Sequence, residues 1–326
     1  MKTTSMLSTR FWKAYWTTMR PYLFFVSGAA TLLGLAHAPF ERPLTARWWI
    51  AFVVGFVAYG LGQALTDCTQ LDTDSLSSTY RPLVQGVVRP RQIVAANTLL
   101  MAAGGIALFK LNVATLPLVL AMVGGIATYT FFKRRYWGGP PWNSWIVALL
   151  PLVAYLAAAP TLRPWQMPAG LAWGMGAVFF CYATFVIVGY FKDISADRAT
   201  GYNTVVVRFG WKKAALISLA AALCGVVCSA ISLWARPAGS WTPARLVGLA
   251  EWATGLVILL FAHYQIYSMD EDEDLAYPAI GNTVRGFVLL LAGESVVLEP
   301  RLYVLSLVFC GAYELSVARR PEARQI

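Results

Sequence analysis

Apolar runs long enough to cross a lipid bilayer recur along the whole chain of 326 residues. A membrane-spanning helix needs about 20 consecutive apolar residues. Only 13% of the residues are charged, against about 25% in soluble domains. This shortage excludes an ordinary soluble protein and predicts an all-α polytopic membrane protein. Runs of the required length occur at residues 22–40, 47–67, 92–110, 113–132, 143–160, 168–191, 211–234 and 247–268.

The last part of the chain leaves the number of spans open. Residues 283–317 hold one short apolar run and a second one, interrupted near Glu299-Pro300. We therefore predict a bundle of nine or ten transmembrane helices around a central cavity that opens to the cytoplasmic side. The bundle is expected over residues 22–318, after a basic, aromatic interfacial segment at 1–21 and before a tail at 319–326.

The net charge of +10 indicates membrane topology rather than a nucleic-acid partner. The cations concentrate in every second loop between apolar runs, which is the positive-inside pattern. Loops 68–91, 133–142, 192–210 and 269–282 are accordingly expected on the inside. The expected location is a bacterial inner (cytoplasmic) membrane, with the active site facing the cytoplasm.

One inner loop carries acidic residues instead, at positions 270–274 in "MDEDEDLAY". A run of like charge is usually a solvated loop. The alternative is a gate that repels anionic ligands or attracts a cation.

Two clusters of aspartates follow apolar runs on the expected inner side. Carboxylates at membrane depth are costly and usually functional. Two clusters at matching ends of two helices can converge in a bundle. The clusters are Asp67, Asp72 and Asp74, then Asp193 and Asp197.

The spacing within each cluster favours shared helix faces. Asp193 and Asp197 are one helical turn apart. In the first cluster a narrow stripe at about 100° per residue holds Gln63, Asp67, Gln70 and Asp74. If the helix continues through Asp72, this residue points to the side opposite the stripe. A helix break after Leu71 could redirect it, so we take Asp72 as a reserve ligand.

Paired carboxylates suit Mg²⁺, which prefers oxygen ligands and keeps waters or phosphate oxygens in its shell. The alternative is that Asp193 and Asp197 are surface acids neutralised by neighbouring cations. Acids and bases at one membrane edge suggest a diphosphate bridged by metal, above an apolar groove that holds an apolar tail. The diphosphate-binding cations we expect are Arg81, Lys133, Arg134, Lys192 and Arg198.

These residues resemble the UbiA superfamily of intramembrane prenyltransferases. That family carries Asn-x-x-x-Asp-x-x-x-Asp in its first region and Asp-x-x-x-Asp in its second. The second motif is matched by Asp193 and Asp197 in "YFKDISADRATGYNT". The resemblance spans about residues 10–290. Further matches are Arg20-Pro21, Arg81-Pro82 with Gly86, Tyr129 with Lys133-Arg134, and Asn143.

The first motif departs from the family pattern. Gln63 stands where Asn is usual, and Leu71 where the last Asp is usual. If the first motif is instead aligned by its distance from Arg81, Asp74 becomes its last aspartate. Gln70 then stands at the position of its middle aspartate. Both alignments of the first motif remain possible. The helical stripe selects Asp67 and Asp74 under either alignment.

The resemblance implies Mg²⁺-dependent transfer of an isoprenyl group from an isoprenyl diphosphate to a small acceptor within the membrane. Asp67, Asp74, Asp193 and Asp197 would act in catalysis, with Gln63, Gln70 and Asn143 as polar support. A hydroxybenzoate, homogentisate, quinolone or other phenol fits as acceptor, and so does a glycerol phosphate lipid. Two alternatives are a UbiA-like membrane terpene cyclase and a secondary transporter. Transporter sites usually lie near the midplane, whereas these acids lie at helix ends.

Overall fold

The computed structural model describes residues 4–39, 45–235 and 240–321. Residues 1–3 of the expected interfacial segment and 322–326 of the expected tail lie outside these ranges. The described residues form fifteen α-helices and no extended strand. In chain order the helices are α1 (Thr9–Met19), α2 (Phe24–His37), α3 (Ala46–Thr69), α4 (Leu71–Ser77), α5 (Pro90–Leu111), α6 (Thr115–Lys133), α7 (Gly139–Ala148), α8 (Leu150–Ala158), α9 (Ala169–Gly189), α10 (Ile194–Ala199), α11 (Val205–Phe209), α12 (Trp211–Trp234), α13 (Pro243–Ser268), α14 (Tyr277–Leu298) and α15 (Tyr303–Ala318).

Ten helical segments in the described part of the chain are long and apolar enough to cross a membrane. The sequence left open whether there are nine or ten transmembrane helices. The final part of the chain forms two helices, α14 and α15. The break between them begins at Glu299, because Pro300 has no backbone N–H with which to continue α14. If all ten cross, both ends of the described bundle would lie on the same side of the membrane.

The N-terminal segment forms a separate amphipathic helix, α1. Phe11 and Tyr15 are buried on one face, whereas Trp12 and Trp16 are exposed on the other. The helix ends where Arg20 adopts a left-handed backbone conformation with φ of 53°. The chain therefore turns sharply between α1 and α2.

The centre of the bundle is built around α2, all of whose residues are buried. It packs against α3, α8 and α14. At the periphery, α5 and α6 expose apolar side chains such as Leu99 and Leu120. Such a surface suits hydrocarbon rather than water.

Helices α13 and α14 approach each other backbone to backbone. A Cβ added at Gly293 would lie 2.4 Å from the backbone nitrogen of Trp252. A Cβ added at Gly255 would lie 2.5 Å from the backbone nitrogen of Leu290. Small residues at helix interfaces permit this close packing in membranes. The two helices therefore form a tightly packed hairpin. The contact glycines are Gly248, Gly255, Gly286 and Gly293.

The segments that follow α3, α6, α9 and α13 meet at one end of the bundle. We call this end the motif end because it carries both aspartate clusters. The segment after α3 contacts the one after α9, where the Thr73 hydroxyl donates to Asp197 Oδ1 at 3.3 Å. An isolated bridge joins Arg135 to Asn203. The loops that the sequence placed on a common side are thus adjacent in space.

Candidate active site

A polar cavity of about 110 Å³ lies at the motif end. Acids from both clusters line this one cavity, as the sequence predicts. Its charged wall residues are the cations Arg20, Arg81, Lys133 and Lys192 and the carboxylates Asp67, Asp74 and Asp193. The three polar residues expected to support the site also line it, namely Gln63, Gln70 and Asn143.

Asp67 is at the centre of a buried ion-pair network. Arg20 Nη2 donates to both of its oxygens, at 3.0 and 3.1 Å. Arg81 Nη1 lies 3.3 Å from Asp67 Oδ1, and Gln63 Nε2 donates to the same oxygen at 2.7 Å. The network fixes the carboxylate at the end of α3.

Asp74 reaches the cavity from α4, which begins one residue beyond the break at Gln70. It forms an ion pair with Arg81, so this guanidinium contacts an acid on each of the two helices. Burial raises the pKa of the Asp74 carboxyl, and Arg81 opposes that rise. The side-chain oxygen Oε1 of Gln70 accepts a hydrogen bond from Lys133 Nζ at 2.9 Å.

The second cluster contributes one acid to the cavity wall and one beneath it. Asp193 precedes α10 as its N-cap residue and lines the cavity. Asp197 is fully buried; its Oδ1 lies 3.8 Å from Lys133 Nζ, and its Oδ2 has no hydrogen-bond partner among the described residues. Burial raises the pKa of this carboxyl to about 6, against the effect of Lys133. A cation beside Asp197 would favour its ionised form.

The turn after α10 holds Asp197 in place. Gly201 has a positive φ of 76°, a conformation that favours glycine. The chain folds back there, and the Tyr202 N–H donates to the Asp197 backbone oxygen at 2.8 Å.

Besides Asp197, three residues expected at the site do not line the polar cavity. Asp72 and Arg134 pair with each other at 2.8 Å, and both are partly exposed. Tyr202 donates to the second Asp72 oxygen at 3.1 Å, which ties α4 to the segment after α10. Arg198 is exposed on the outer face of α10. The break at Gln70 does not turn Asp72 inward, because this rim contact holds it.

A larger apolar cavity of about 560 Å³ adjoins the polar one. It runs between α3, α5 and α6, and Trp12, Tyr15, Trp16 and Met19 of α1 form part of its wall. Five residues line both cavities, so the two spaces are adjacent. These shared residues are Tyr59, Gln63, Thr66, Asn143 and Tyr182.

The donor set of the polar cavity fits a hard divalent cation. Its candidate ligands are carboxylate and amide oxygens, and Asp197 Oδ2, beneath the wall, is buried with no hydrogen-bond partner in the described part of the chain. Among the described residues no three His, Cys, Asp or Glu side chains are close enough to hold a metal by themselves. Mg²⁺ does not need such a cage, because it is usually held by one or two carboxylates together with substrate phosphates and waters. Asp67, Asp74, Asp193 and Asp197 are the residues that fit this role.

Arg20 was not among the site residues expected from the sequence. This arginine follows α1, far from both motifs in sequence, yet it binds Asp67 and lines the polar cavity. The available signal was the Arg20-Pro21 pair at the start of the first span. Four tyrosines, at positions 59, 129, 182 and 190, also line this cavity.

Solved structures share this architecture. A UbiA homologue from Aeropyrum pernix K1 has a TM-score of 0.66 at 20% identity, covering 88% of this chain and 96% of that one. A UbiA homologue from Archaeoglobus fulgidus, bound to DMAPP and Mg²⁺, has a TM-score of 0.62 at 15% identity, covering 85% of this chain and 98% of that one. Both likenesses establish the fold.

Sequence comparison extends the likeness to the family. The digeranylgeranylglyceryl phosphate synthase of Halobacterium salinarum is 24% identical over 259 residues, which cover 76% of this chain and 86% of that protein. Residues 27–279 match the UbiA prenyltransferase family as a whole. That range contains both aspartate clusters and most of the walls of both cavities. This multi-pass membrane protein therefore belongs to the UbiA prenyltransferase family.

Proposed function

We propose that the protein transfers an isoprenyl group from an isoprenyl diphosphate to a small acceptor within the membrane, in a reaction that requires Mg²⁺. The observation that carries this proposal is the adjacency of a small, highly charged cavity and a large apolar one, which share five lining residues. An isoprenyl diphosphate likewise consists of a small charged head joined to a long apolar chain. The A. fulgidus homologue, with DMAPP and Mg²⁺ bound, supports the same donor class and metal.

The charged side chains have complementary roles in binding the donor head. Mg²⁺ held by the aspartates would neutralise the diphosphate and make it a better leaving group. Arg20, Arg81, Lys133 and Lys192 supply fixed positive charge around the same space. Charge-assisted hydrogen bonds from Arg and Lys to phosphate oxygens are strong and orienting.

The transfer step needs a dry, preorganised site. The C–O bond to the diphosphate breaks, the diphosphate leaves with the electron pair, and the acceptor's nucleophile bonds to the allylic carbon and loses a proton. Charge that develops on the leaving group is stabilised by cations already in position. Tyr59 and Tyr182 line both cavities, and their aromatic rings would stabilise positive charge that develops on an isoprenyl chain bound there.

For the acceptor there are two candidate classes. Aromatic or phenolic compounds, such as a quinolone or a hydroxybenzoate, are the class that the sequence resemblance favours. A glyceryl phosphate lipid is favoured by the name of the H. salinarum relative. The bacterial inner membrane and a cytoplasm-facing motif end stay predictions alongside them.

Turnover assays distinguish these possibilities. Membranes containing the protein are incubated with radiolabelled geranyl, farnesyl or geranylgeranyl diphosphate, with and without Mg²⁺, and with a panel of phenols and glyceryl phosphates. We expect Mg²⁺-dependent labelling of one acceptor class. Cyclised product formed without any acceptor would instead establish a terpene cyclase, and release of no product from any donor would contradict the proposal.

A further inference from the structure

The acidic run at 270–274 forms the loop between α13 and α14, and one of its residues is oriented differently from the rest. Glu273 is partly buried, whereas the other four acids are exposed. Its carboxylate accepts two hydrogen bonds from Ser195, one from the backbone N–H to Oε1 at 2.7 Å and one from the hydroxyl to Oε2 at 2.9 Å. The loop is therefore joined to α10.

Helix α10 depends on such external contacts. It has only six residues, about 9 Å of helix, and so short a helix is not stable by itself. The Ser195 N–H belongs to the first turn, whose donors have no partner within the helix. Glu273 satisfies this donor and places negative charge near the helix N-terminus, where it is favourable.

The opposite side of α10 is held by the first aspartate segment. Thr73 on α4 donates to Asp197 Oδ1, so α10 is fixed between α4 and the acidic loop. Ser195 lies midway between Asp193 and Asp197. Displacing Ser195 would therefore move both acids of the second cluster.

The loop that carries Glu273 is itself well anchored. Asp272 Oδ1 accepts from the Asp274 N–H at 2.9 Å and fixes the turn that contains Glu273. Just beyond the loop, the Tyr277 ring lies 5.7 Å from Lys192 Nζ. Both ends of the loop continue into the closely packed α13–α14 hairpin. Glu273 thus links α10 to a rigid part of the molecule.

We propose that Glu273 is a positioning residue, which holds α10 against the α13–α14 hairpin and so places Asp193 and Asp197 at the polar cavity. The link between Glu273 and Ser195 is independent of the reaction, whereas its consequence for Mg²⁺ rests on the proposed function. Neither a freely solvated loop nor a gate for ligands describes this residue.

Hydrogen exchange measured by mass spectrometry tests the link without any turnover. In detergent-solubilised full-length protein, Glu273→Ala should accelerate amide exchange across residues 194–199 about ten-fold, since hydrogen bonds to charged groups are among the stronger ones. Glu271→Ala is the matched control, because Glu271 is an exposed acid of the same loop. Equal exchange in the two variants would overturn the proposal.

Conservative variants separate positioning from a general loss of structure. Glu273→Gln retains an acceptor for the Ser195 N–H and should recover much of the protection, and Ser195→Ala, which loses one of the two bonds, should be intermediate. If the protein transfers isoprenyl groups, Glu273→Ala should also raise the Mg²⁺ concentration for half-maximal rate several-fold, with Glu271→Ala unchanged. An unchanged Mg²⁺ requirement despite faster exchange would reject the positioning role. Absence of turnover in every variant, including the wild type, would reject the proposed function and leave the exchange result standing.

Discussion

Asp72 and Asp74 lie on the same short helix and have opposite environments. Asp74 is buried at the polar cavity against Arg81, whereas Asp72 is partly exposed and pairs with Arg134 at the rim. The helical stripe predicts Asp74 rather than Asp72 as a site residue, and Asp74 is the one of the two that lines the cavity. The sequence could not show that Arg20 would complete the network, because the contact joins residues that only the folded bundle brings together.

This contrast predicts different effects of removing each charge. Asp72→Asn should change the turnover rate little, since a partly exposed ion pair contributes about 1 kcal/mol or less. Asp74→Asn should lower turnover about a hundred-fold, because it removes a buried carboxylate beside the diphosphate and leaves Arg81 with one acid fewer. The measurement is initial rate at saturating Mg²⁺ for both purified variants. Similar losses in the two would contradict the assignment.

At the level of helices, the spans and their order followed from the sequence, with boundaries displaced by only a few residues at most ends. Apolar length and the proline at 300 determine these features. The break at Gln70 and the turn at Arg20 were not predicted, because both residues make contacts that form only in the folded bundle, Gln70 with Lys133 and Arg20 with Asp67. The glycine contacts of α13 and α14 were missed for the same reason.

The glycine contact predicts a specific loss of stability. Gly293→Ala would place a methyl group 2.4 Å from the Trp252 nitrogen, so the helices must separate, at a cost of about 1–3 kcal/mol. Gly311→Ala is the control, because no atom lies within 4 Å of its added Cβ. Thermal unfolding in detergent should show a lower midpoint for Gly293→Ala alone. Equal midpoints would show that the close approach of the two helices is not required.

The apolar cavity predicts control of donor length. Gly105 lines it about 22 Å along α5 from the motif end, which places it beside the distal part of a long chain. Gly105→Phe should lower kcat/KM for geranylgeranyl relative to geranyl diphosphate about ten-fold or more.

Gly124→Phe provides the matched control, because Gly124 is exposed on α6 and does not line the cavity. It should leave the ratio of the two donors unchanged. A Gly105→Phe enzyme with the wild-type ratio would show that the isoprenyl chain lies elsewhere.

For the whole molecule, the sequence predicted an all-helical bundle with two aspartate clusters at one end, and the structure brings acids of both to one cavity. The number of residues between the two clusters does not predict how far apart they lie in space. What joins them is the contact between the segments after α3 and α9, through Thr73 and Asp197. The joint use of both clusters for one diphosphate is the central claim.

Equilibrium binding of an unreactive geranyl thiolodiphosphate tests this claim most directly. Isothermal titration in the presence and absence of Mg²⁺ compares the wild type with Asp67→Asn, Asp193→Asn and the double variant. We predict one Mg²⁺-dependent site per chain, weakened at least about ten-fold by either single change. Undiminished Mg²⁺-dependent binding in either single variant would contradict the account.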